Sequence, residues 1–316
     1  MYNQLMKLVI QIPCYNEQDT VLTALSALPK KICNIDEIEI LVIDDGSNDN
    51  TSQVVKDWGV DRVVSFTRNL GLARAFEAGL NTSLEMGADI IVNFDADNQY
   101  CADDIEKLIE PILNKKADIV IGTRPIEDIK HFSLVKKVLQ KFGSYVMRKV
   151  SATDVQDAPS GFRAISADAA RRINIFDNYT YTLEMIIQAQ RKGLNIVCVP
   201  IRVNEDLRPS RLVKSNFSYI VRSIVTMMRI FIIYRPFRFF AFIGLLMLLS
   251  AAVLGFRFLY FYLTGDGQGH IQSLILCAIL SFLAFQCGLL AVISDLLAIN
   301  RKLLEDVQYQ LRQKSC

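Results

Sequence analysis

The chain has 316 residues, 51% of them hydrophobic, and a formal net charge of +2. This length fits one or two domains, and the high apolar content indicates a membrane-associated portion. Seven cysteines without a C-x-x-C pair argue against a disulfide framework and against a zinc site. The small net charge decides little about partners, and we expect no nucleic-acid partner.

Strand-like and helix-like runs alternate from about residue 7 to residue 203. Short apolar runs rich in β-branched residues predict strands at 8–12, 38–43, 62–66, 89–94, 118–122 and 196–201. Runs with helical spacing predict helices at 20–28, 51–58, 72–86, 104–114, 134–149 and 183–191. This alternation predicts an α/β fold with a mostly parallel sheet, whose ligands bind beyond the carboxyl ends of the strands.

Polar clusters follow four of the six predicted strands. They are Pro13-Cys14-Tyr15-Asn16-Glu17, residues 44–51, residues 95–99 and Gly122-Thr123-Arg124. Each cluster alone is consistent with a turn or a helix cap, but their recurrence at one end of the sheet indicates a shared site. No glycine-rich phosphate loop of the G-x-G-x-x-G or G-x-x-x-x-G-K-[ST] type occurs. A nucleotide would therefore be held by carboxylates, a metal and arginines.

The cluster at the end of the fourth strand places Asp95, Asp97 and Gln99 at alternating positions. Because side chains alternate along an extended chain, these three can face the same way. Three oxygen ligands suit a hard divalent cation, Mg²⁺ or Mn²⁺, that keeps coordination positions for substrate phosphates. The alternative interpretation is a polar turn without a metal.

Seven motifs follow one another between Ile12 and Arg211: I-P-C-Y-N-E, V-I-D-D-G-S-N-D-N-T, R-N-L-G-L-A-R-A-F-E-A-G, D-A-D-N-Q, G-T-R, S-G-F-R-A and L-R-P-S-R. As an ordered set they resemble the inverting GT-A-fold glycosyltransferases of the dolichyl-phosphate-mannose synthase type, including bacterial polyprenyl-phosphate glucosyltransferases. The resemblance implies a GT-A, Rossmann-like nucleotide-sugar domain over residues 1–211. It implies that the nucleoside is held by Pro13, Tyr15, Glu17, Asp44, Asp45, Asp95 and Ala96. It also implies that the metal and the diphosphate are held by Asp95, Asp97 and Gln99.

Three departures from the family pattern are visible. Tyr100-Cys101-Ala102 stands where relatives often have His-Pro-Pro, which leaves the metal ligands intact but changes how the next helix begins. Arg208-Pro209-Ser210-Arg211 lacks the glycine and the terminal lysine of the usual Arg-x-x-Gly-x-Ser-Lys. No Gln-x-x-Arg-Trp motif occurs, which disfavours chain polymerisation.

A dianionic acceptor phosphate calls for arginine forks around it. Residues nominated for the acceptor or the donor diphosphate are Arg124, Arg208, Ser210 and Arg211, with Lys136 and Lys137 as weaker candidates. The resemblance places the catalytic acidic residue at Asp157, which would act either as a base or as a group that orients the phosphate or an arginine. Asp154 and Glu184 are the alternatives.

Two long uncharged runs predict a transmembrane hairpin over residues 235–298. Residues 239–256 and 271–294 carry no charge, and we expect spans at about 237–262 and 271–295. Seven basic and no acidic residues lie between Arg208 and Arg238, and Arg301 and Lys302 follow the second span. By the positive-inside rule, the catalytic domain and the C-terminus are expected on the cytoplasmic side of the inner (plasma) membrane.

Two further helices are predicted around the hairpin. Residues 212–234 have the spacing of an amphipathic juxtamembrane helix, which would lie on the bilayer surface or pack on the domain. Residues 299–316 predict a tail helix whose apolar face would contact a neighbouring subunit, giving a homo-oligomer, or contact its own domain.

Together these features predict an enzyme that moves one sugar from a nucleotide sugar donor onto polyprenyl phosphate with inversion. UDP-glucose is the preferred donor, because the two-span architecture resembles the bacterial glucosyl and aminoarabinosyl branch. GDP-mannose and UDP-aminoarabinose are the alternative donors. The alternative from another class is a catalytically inactive membrane scaffold, against which the intact Asp95, Asp97, Gln99 and Arg124 argue.

Overall fold

The computed structural model describes residues 5–125, 155, 157–175, 181–204, 232, 236–265 and 271–314. The chain divides into two compact units, the first containing Met1–Ile220 and Gln308–Cys316, the second Val221–Val307. The predicted helix at 134–149 and, apart from residue 232, the predicted amphipathic helix at 212–234 lie outside the described residues.

A single sheet organises the described part of the first unit. Its strands are β1 Lys7–Cys14, β2 Glu37–Asp44, β3 Arg62–Ser65, β4 Ile90–Asn93, β5 Ile119–Thr123, β6 Arg163–Ser166 and β7 Ile196–Pro200. Their order is β3-β2-β1-β4-β6-β5-β7, and β6 alone among them runs antiparallel to its neighbours. The mostly parallel α/β sheet predicted from the sequence is confirmed, but β6 was not predicted because it is short and begins with an arginine.

Helices cover both faces of this sheet. In the first unit they are α1 Val21–Ala27, α2 Thr51–Trp58, α3 Leu72–Glu85, α4 Ile105–Leu113, α5 Ala167–Arg172 and α6 Thr182–Arg191. Because the sheet is covered on both sides, β1 and β4 are buried along nearly their whole length, as expected for parallel strands. The helix α5 was not predicted; Ser166 is its N-cap residue, and the Ser166 hydroxyl accepts a hydrogen bond from the Ala169 N–H.

Asp104 joins the start of α4 to the residues after β7. Its buried carboxylate accepts hydrogen bonds from the backbone N–H of Arg202 at 2.6 Å, the Arg202 Nη2 at 2.9 Å and the Lys107 Nζ at 2.7 Å. Burial opposes the ionisation of Asp104, but the hydrogen bonds from Arg202 and Lys107 outweigh it and hold its pKa below the ordinary value.

A carboxylate whose pKa is lower in the folded than in the unfolded protein stabilises the fold at neutral pH. This contribution is lost as the pH falls from the unfolded pKa, about 4, through the lower folded value. We therefore expect Asp104→Asn to lower the Tm of the full-length protein by about 4 °C at pH 7, and the difference from the parent to shrink below about pH 4. The control is Asp103→Asn on the same turn, where the side chain is 78% exposed. An equal loss in both variants would contradict the role of Asp104.

The end of the chain contacts the first unit, to which it belongs. Tyr309 donates a hydrogen bond to the Asp168 carboxylate at 3.0 Å, and Arg312 Nη1 donates to the Ile173 carbonyl at 2.9 Å and to Asn174 Oδ1 at 3.0 Å. The sequence predicted that the tail contacts either a neighbouring subunit or its own domain. These contacts favour its own domain.

The described part of the second unit consists mainly of α7 Pro236–Leu263 and of the α8 helix up to Val307; α8 as a whole runs from Ile271 to Lys314. Both are long and apolar enough to cross a membrane, and only 11% of the most apolar window of each is buried. This exposure is unlike that of a core helix in a soluble protein. The predicted second span and the predicted tail helix belong to one continuous helix, α8.

Small residues bring α7 and α8 together within the second unit. A Cβ atom added to Gly244 would lie 3.2 Å from the Cβ of Cys287, and one added to Gly255 would lie 3.3 Å from the Cys277 Sγ. Ala251 and Ala291 are also buried. Close approach at small residues is typical of helix pairs in membranes, and here it leaves the large apolar side chains facing outward.

Candidate active site

The clusters that follow β1 and β2 interlock at the carboxyl edge of the sheet. Cys14 and Asp44 are register partners at the ends of these strands. The Asn16 N–H donates to Ser47 Oγ at 2.9 Å, and the Glu17 N–H donates to Thr51 Oγ1 at 2.8 Å. The structure thus brings together the first two polar clusters, as the sequence predicted.

Three of the carboxylates predicted to hold the nucleoside accept hydrogen bonds from nearby loops. Asp44 accepts from the Ser47 N–H at 2.9 Å. Asp45 accepts from the backbone N–H groups of Leu70 and Gly71 at 2.7 and 2.9 Å, and burial raises its pKa although these bonds oppose the increase. Pro13 and Ala96 are buried, Glu17 is half-buried and accepts a hydrogen bond from Thr20, and Tyr15 is 39% exposed. The carboxylates therefore shape the loops that border the edge.

The Asp-x-Asp segment forms a turn immediately after β4. Asn98 has a φ of +56°, which bends the chain, and the Gln99 N–H donates to Asp97 Oδ1 at 3.1 Å. Asn204 holds the turn with three hydrogen bonds. Its backbone N–H donates to the Gln99 carbonyl at 2.9 Å, and its Nδ2 donates to the carbonyls of Asn98 and Tyr100. The turn is therefore held by Asn204 and, through one of its oxygens, by the Asp97 carboxylate.

Asp95 is placed where a negative charge is costly. Burial, together with the neighbouring Asp97 carboxylate, raises the pKa of Asp95 to about 7. A divalent cation would relieve both effects, and the donor set fits one that also takes phosphate oxygens. Among the described residues no group of three or more His, Cys, Asp or Glu side chains could hold a metal. Any further ligands must come from groups such as the Gln99 amide or the substrate.

Arg124 and Asp157 form a two-pronged ion pair beside this turn. Arg124 Nε donates to Asp157 Oδ2 at 2.7 Å and Arg124 Nη2 donates to Oδ1 at 3.0 Å. Burial would lower the pKa of Arg124, but Tyr100 and Asp157 outweigh it and raise the pKa. Because both carboxylate oxygens of Asp157 contact the guanidinium, Asp157 is arranged to orient Arg124 and to keep it charged.

The carboxylate turn and the ion pair lie within electrostatic reach of each other. The positive charge of Arg124 opposes the rise in the Asp95 pKa, and the charge of Asp95 contributes to the raised pKa of Arg124. One site therefore offers carboxylates for a cation and a largely buried arginine for an anion.

The profile of glycosyl transferase family 2 matches residues 9–173, more than half of the chain. The chain belongs to glycosyl transferase family 2. It is therefore a glycosyltransferase, and its α/β domain has the GT-A fold that the motifs indicated.

Named relatives of this family 2 enzyme act on polyprenyl phosphates. It is 32% identical over 212 residues to the UDP-N-acetylglucosamine–dolichyl-phosphate N-acetylglucosaminyltransferase of Methanococcus voltae, covering 60% of this chain and 83% of the relative. It is 30% identical over 222 residues to the undecaprenyl-phosphate mannosyltransferase of Micrococcus luteus, covering 66% and 88%.

Among solved structures, the family 2 enzyme is similar to glucosyl-3-phosphoglycerate synthase from Mycobacterium tuberculosis. That structure holds Mn²⁺, UDP and glucosyl-3-phosphoglycerate. The TM-score is 0.55 at 18% identity, with 70% of this chain and 80% of the other covered. At this identity the likeness concerns the fold alone.

Several predicted residues of the family 2 site fall outside the described part of the chain. They are Asp154, Lys136, Lys137, Arg208, Ser210 and Arg211. Glu184, the third candidate for the catalytic base, is buried in α6 and lies 3.5 Å from the Gln188 Nε2. The assignments of all these residues stay predictions.

Sequence reasoning missed the residues that support the loop carrying Asp157. Arg163 is fully buried and donates hydrogen bonds to the carbonyls of Ala158, Ser160 and Thr182 at 2.7, 2.8 and 2.9 Å. Asn93, its register partner across the β4–β6 ladder, donates to the Gly161 carbonyl at 2.9 Å. The available signal was polarity in buried strands, because a buried amide or guanidinium needs such partners.

Proposed function

We propose that the protein transfers one sugar from a nucleotide diphosphate sugar to the phosphate of a membrane polyprenol, with inversion at the anomeric carbon. The observation that carries the proposal is the carboxylate turn of Asp95 and Asp97 beside the Arg124–Asp157 ion pair in a family 2 domain. The same chain has two helices apolar enough to span a membrane, which supports a lipid acceptor. Relatives named for dolichyl-phosphate and undecaprenyl-phosphate support the same acceptor class.

In this mechanism Asp95 and Asp97, with Gln99, would hold Mg²⁺ or Mn²⁺. When bound, the cation supplies positive charge to the departing diphosphate. Arg124 binds the acceptor phosphate, and Asp157 fixes the direction of the guanidinium. An acceptor phosphate oxygen bonds to the anomeric carbon as the bond to the diphosphate oxygen breaks, and the nucleoside diphosphate leaves. With a second pKa near 6, the phosphate needs no base at neutral pH.

The proposed donor is UDP-glucose. It is preferred because the two-span architecture resembles the bacterial glucosyl and aminoarabinosyl branch, which also makes UDP-aminoarabinose a competing donor. The named relatives transfer N-acetylglucosamine and mannose, so UDP-N-acetylglucosamine and GDP-mannose compete as well.

The proposed location is the inner membrane, with the catalytic domain and the C-terminus in the cytoplasm, where nucleotide sugars are available. A homo-oligomer is also proposed. Because Tyr309 and Arg312 contact the chain's own first unit, other surfaces of the protein would have to form its interface.

The test uses full-length protein in phospholipid nanodiscs with radiolabelled UDP-glucose, GDP-mannose, UDP-N-acetylglucosamine and UDP-aminoarabinose. Each donor is offered undecaprenyl phosphate, dolichyl phosphate or the soluble acceptor 3-phosphoglycerate. We expect organic-extractable label with a polyprenyl phosphate and UDP-glucose, and a β-anomeric phosphodiester by NMR. Transfer to 3-phosphoglycerate with none to either lipid would overturn the acceptor assignment. A product that keeps the anomeric configuration of the donor would overturn inversion.

A further inference from the structure

Asn93 is a fully buried amide at the end of β4, two positions before Asp95. Its Nδ2 atom donates hydrogen bonds to the Gly161 carbonyl at 2.9 Å and to the Tyr181 hydroxyl at 3.1 Å. Its Oδ1 atom accepts a hydrogen bond from Gln11 Nε2 at 2.9 Å. Because a carbonyl can only accept, the amide must turn its nitrogen toward Gly161, and the three contacts together fix its orientation.

Gly161 lies directly against the Asp95 carboxylate. A Cβ atom added to Gly161 would lie 2.8 Å from Asp95 Oδ2 and 3.1 Å from Oδ1, so any side chain at this position would displace the carboxylate. The Gly161 N–H donates to the hydroxyl of the buried Tyr100 at 3.2 Å. Gly161 is therefore held through both its N–H and its carbonyl, and its position limits the orientations that are open to Asp95.

The segment from Asp157 to Phe162 also contacts the end of β5. The Phe162 carbonyl accepts a hydrogen bond from the Gly122 N–H at 2.9 Å, and Gly122 is two positions before Arg124. Arg124 in turn holds Asp157 at the start of the segment. One short segment therefore contacts both the strand that leads into the carboxylate turn and the strand that leads into Arg124.

We propose that Asn93 is a positioning residue that sets the separation between the carboxylate turn and the Arg124–Asp157 ion pair, by holding Gly161 beside Asp95. This inference rests on the proposed function, in which the turn serves the donor diphosphate and Arg124 serves the acceptor phosphate. The attacking phosphate oxygen must lie in line with the bond to the departing diphosphate, and a misplacement of about 1 Å lowers the rate by about 100-fold. Asn93 acts through Gly161 and not on either substrate.

The test replaces Asn93 with leucine in the full-length protein in nanodiscs. Leucine has the same branching as asparagine but no donor for the Gly161 carbonyl. We expect kcat at saturating cation to fall by about 100-fold. The KM values for both substrates should stay within about threefold of the parent's, because the groups proposed to bind each substrate are all present. A purely structural role would lower the Tm without lowering the kcat of the folded protein.

The matched control is Gln11→Met, which removes the buried amide on the other side of Asn93. Asn93 keeps both hydrogen bonds of its Nδ2 atom, so we expect a lower Tm but a kcat within about threefold of the parent's. Hydrogen–deuterium exchange of the metal-free proteins gives a readout that is independent of activity. Peptides covering residues 157–163 should exchange about 10-fold faster in Asn93→Leu and at the parental rate in Gln11→Met.

A parental kcat in Asn93→Leu, or an equal loss of kcat in Asn93→Leu and Gln11→Met, would overturn the proposal. A parental exchange rate of residues 157–163 in Asn93→Leu would also overturn it. If Asn93→Leu does not fold, the double variant Asn93→Leu, Gln11→Leu leaves no unpaired amide and must show the same loss of kcat. A parent that transfers no sugar to either polyprenyl phosphate would overturn the proposed function together with this inference, which distinguishes that failure from a failure of the positioning role alone.

Discussion

Replacing Asp97 with asparagine is expected to lower kcat/KM for sugar transfer by about 1,000-fold, because several kcal/mol of charge stabilisation on the leaving diphosphate depend on the cation. The local structure should survive, since the asparagine Oδ1 can still accept the hydrogen bond that the Gln99 N–H gives to Asp97. Loss of one of two neighbouring negative charges should leave the Tm of the metal-free protein unchanged or slightly raised. The variant would then lose activity without losing thermal stability.

This prediction is checked by the lipid transfer assay and by thermal unfolding of the same preparations in the absence of metal. Asp57→Asn is the control, because that carboxylate lies exposed in α2 and bonds to Gln53 Nε2 in the same helix. Parental transfer by Asp97→Asn, or by the parent in excess chelator, would refute the metal assignment. If both the activity and the Tm of Asp97→Asn fell strongly, the carboxylate would have a structural role.

The end of each predicted strand was the most informative feature of the sequence. Apolar runs that stop at Pro13, Asp44 and Asp95 locate the carboxyl edge of a parallel sheet without any knowledge of long-range contacts. The structure keeps these clusters at one edge because parallel pairing aligns the strand ends, as between Cys14 and Asp44.

The antiparallel strand β6 could not be predicted from apolar runs. Its first residue, Arg163, is fully buried, which no hydrophobic pattern indicates. The guanidinium is tolerated there because it donates to three backbone carbonyls, two of them in the loop that carries Asp157. The sequence can show a polar residue within or beside an apolar run, but the partners of such a group are distant in the sequence and cannot be identified before the fold is known.

Tyr100 and Asp157 show the same limit within the site. The sequence indicated only that Tyr100 alters how the next helix begins. In the structure its hydroxyl accepts a hydrogen bond from the Gly161 N–H, 61 positions away. For Asp157 the sequence left open a base and an orienting group. Its contact with Arg124, 33 positions away, is what favours the second role.

The Asp157→Asn variant is expected to lose about 100- to 1,000-fold in kcat/KM, because breaking a buried ion pair leaves the arginine without its orienting charge. An asparagine amide would also turn a donor toward the guanidinium donors. The loss should appear mainly as a higher KM for polyprenyl phosphate, since the disturbed arginine is the group proposed to bind the acceptor. The loss should be the same at every pH from about 6.5 to 9, where the phosphate is mostly dianionic and an arginine stays charged with or without a partner.

The pH profile separates the two roles of Asp157. If the carboxylate removed a proton, the asparagine variant would recover part of its rate at high pH, where hydroxide replaces the base. A constant ratio of variant to parent is the result expected from a positioning role. Near-parental turnover at all pH values would exclude Asp157 and return the assignment to Asp154 or Glu184.

A double-variant cycle then tests whether Asp157 acts through Arg124. Arg124→Ala should raise the KM for polyprenyl phosphate far more than the KM for the nucleotide sugar, because the role proposed for the arginine is to bind the acceptor phosphate. Once Arg124 is absent, Asp157 has no guanidinium to orient, so the double variant should be no slower than Arg124→Ala alone. Multiplied losses in the double variant would show that the two residues act independently. In that outcome the ion pair at 2.7 and 3.0 Å would be a structural contact between two separately acting groups.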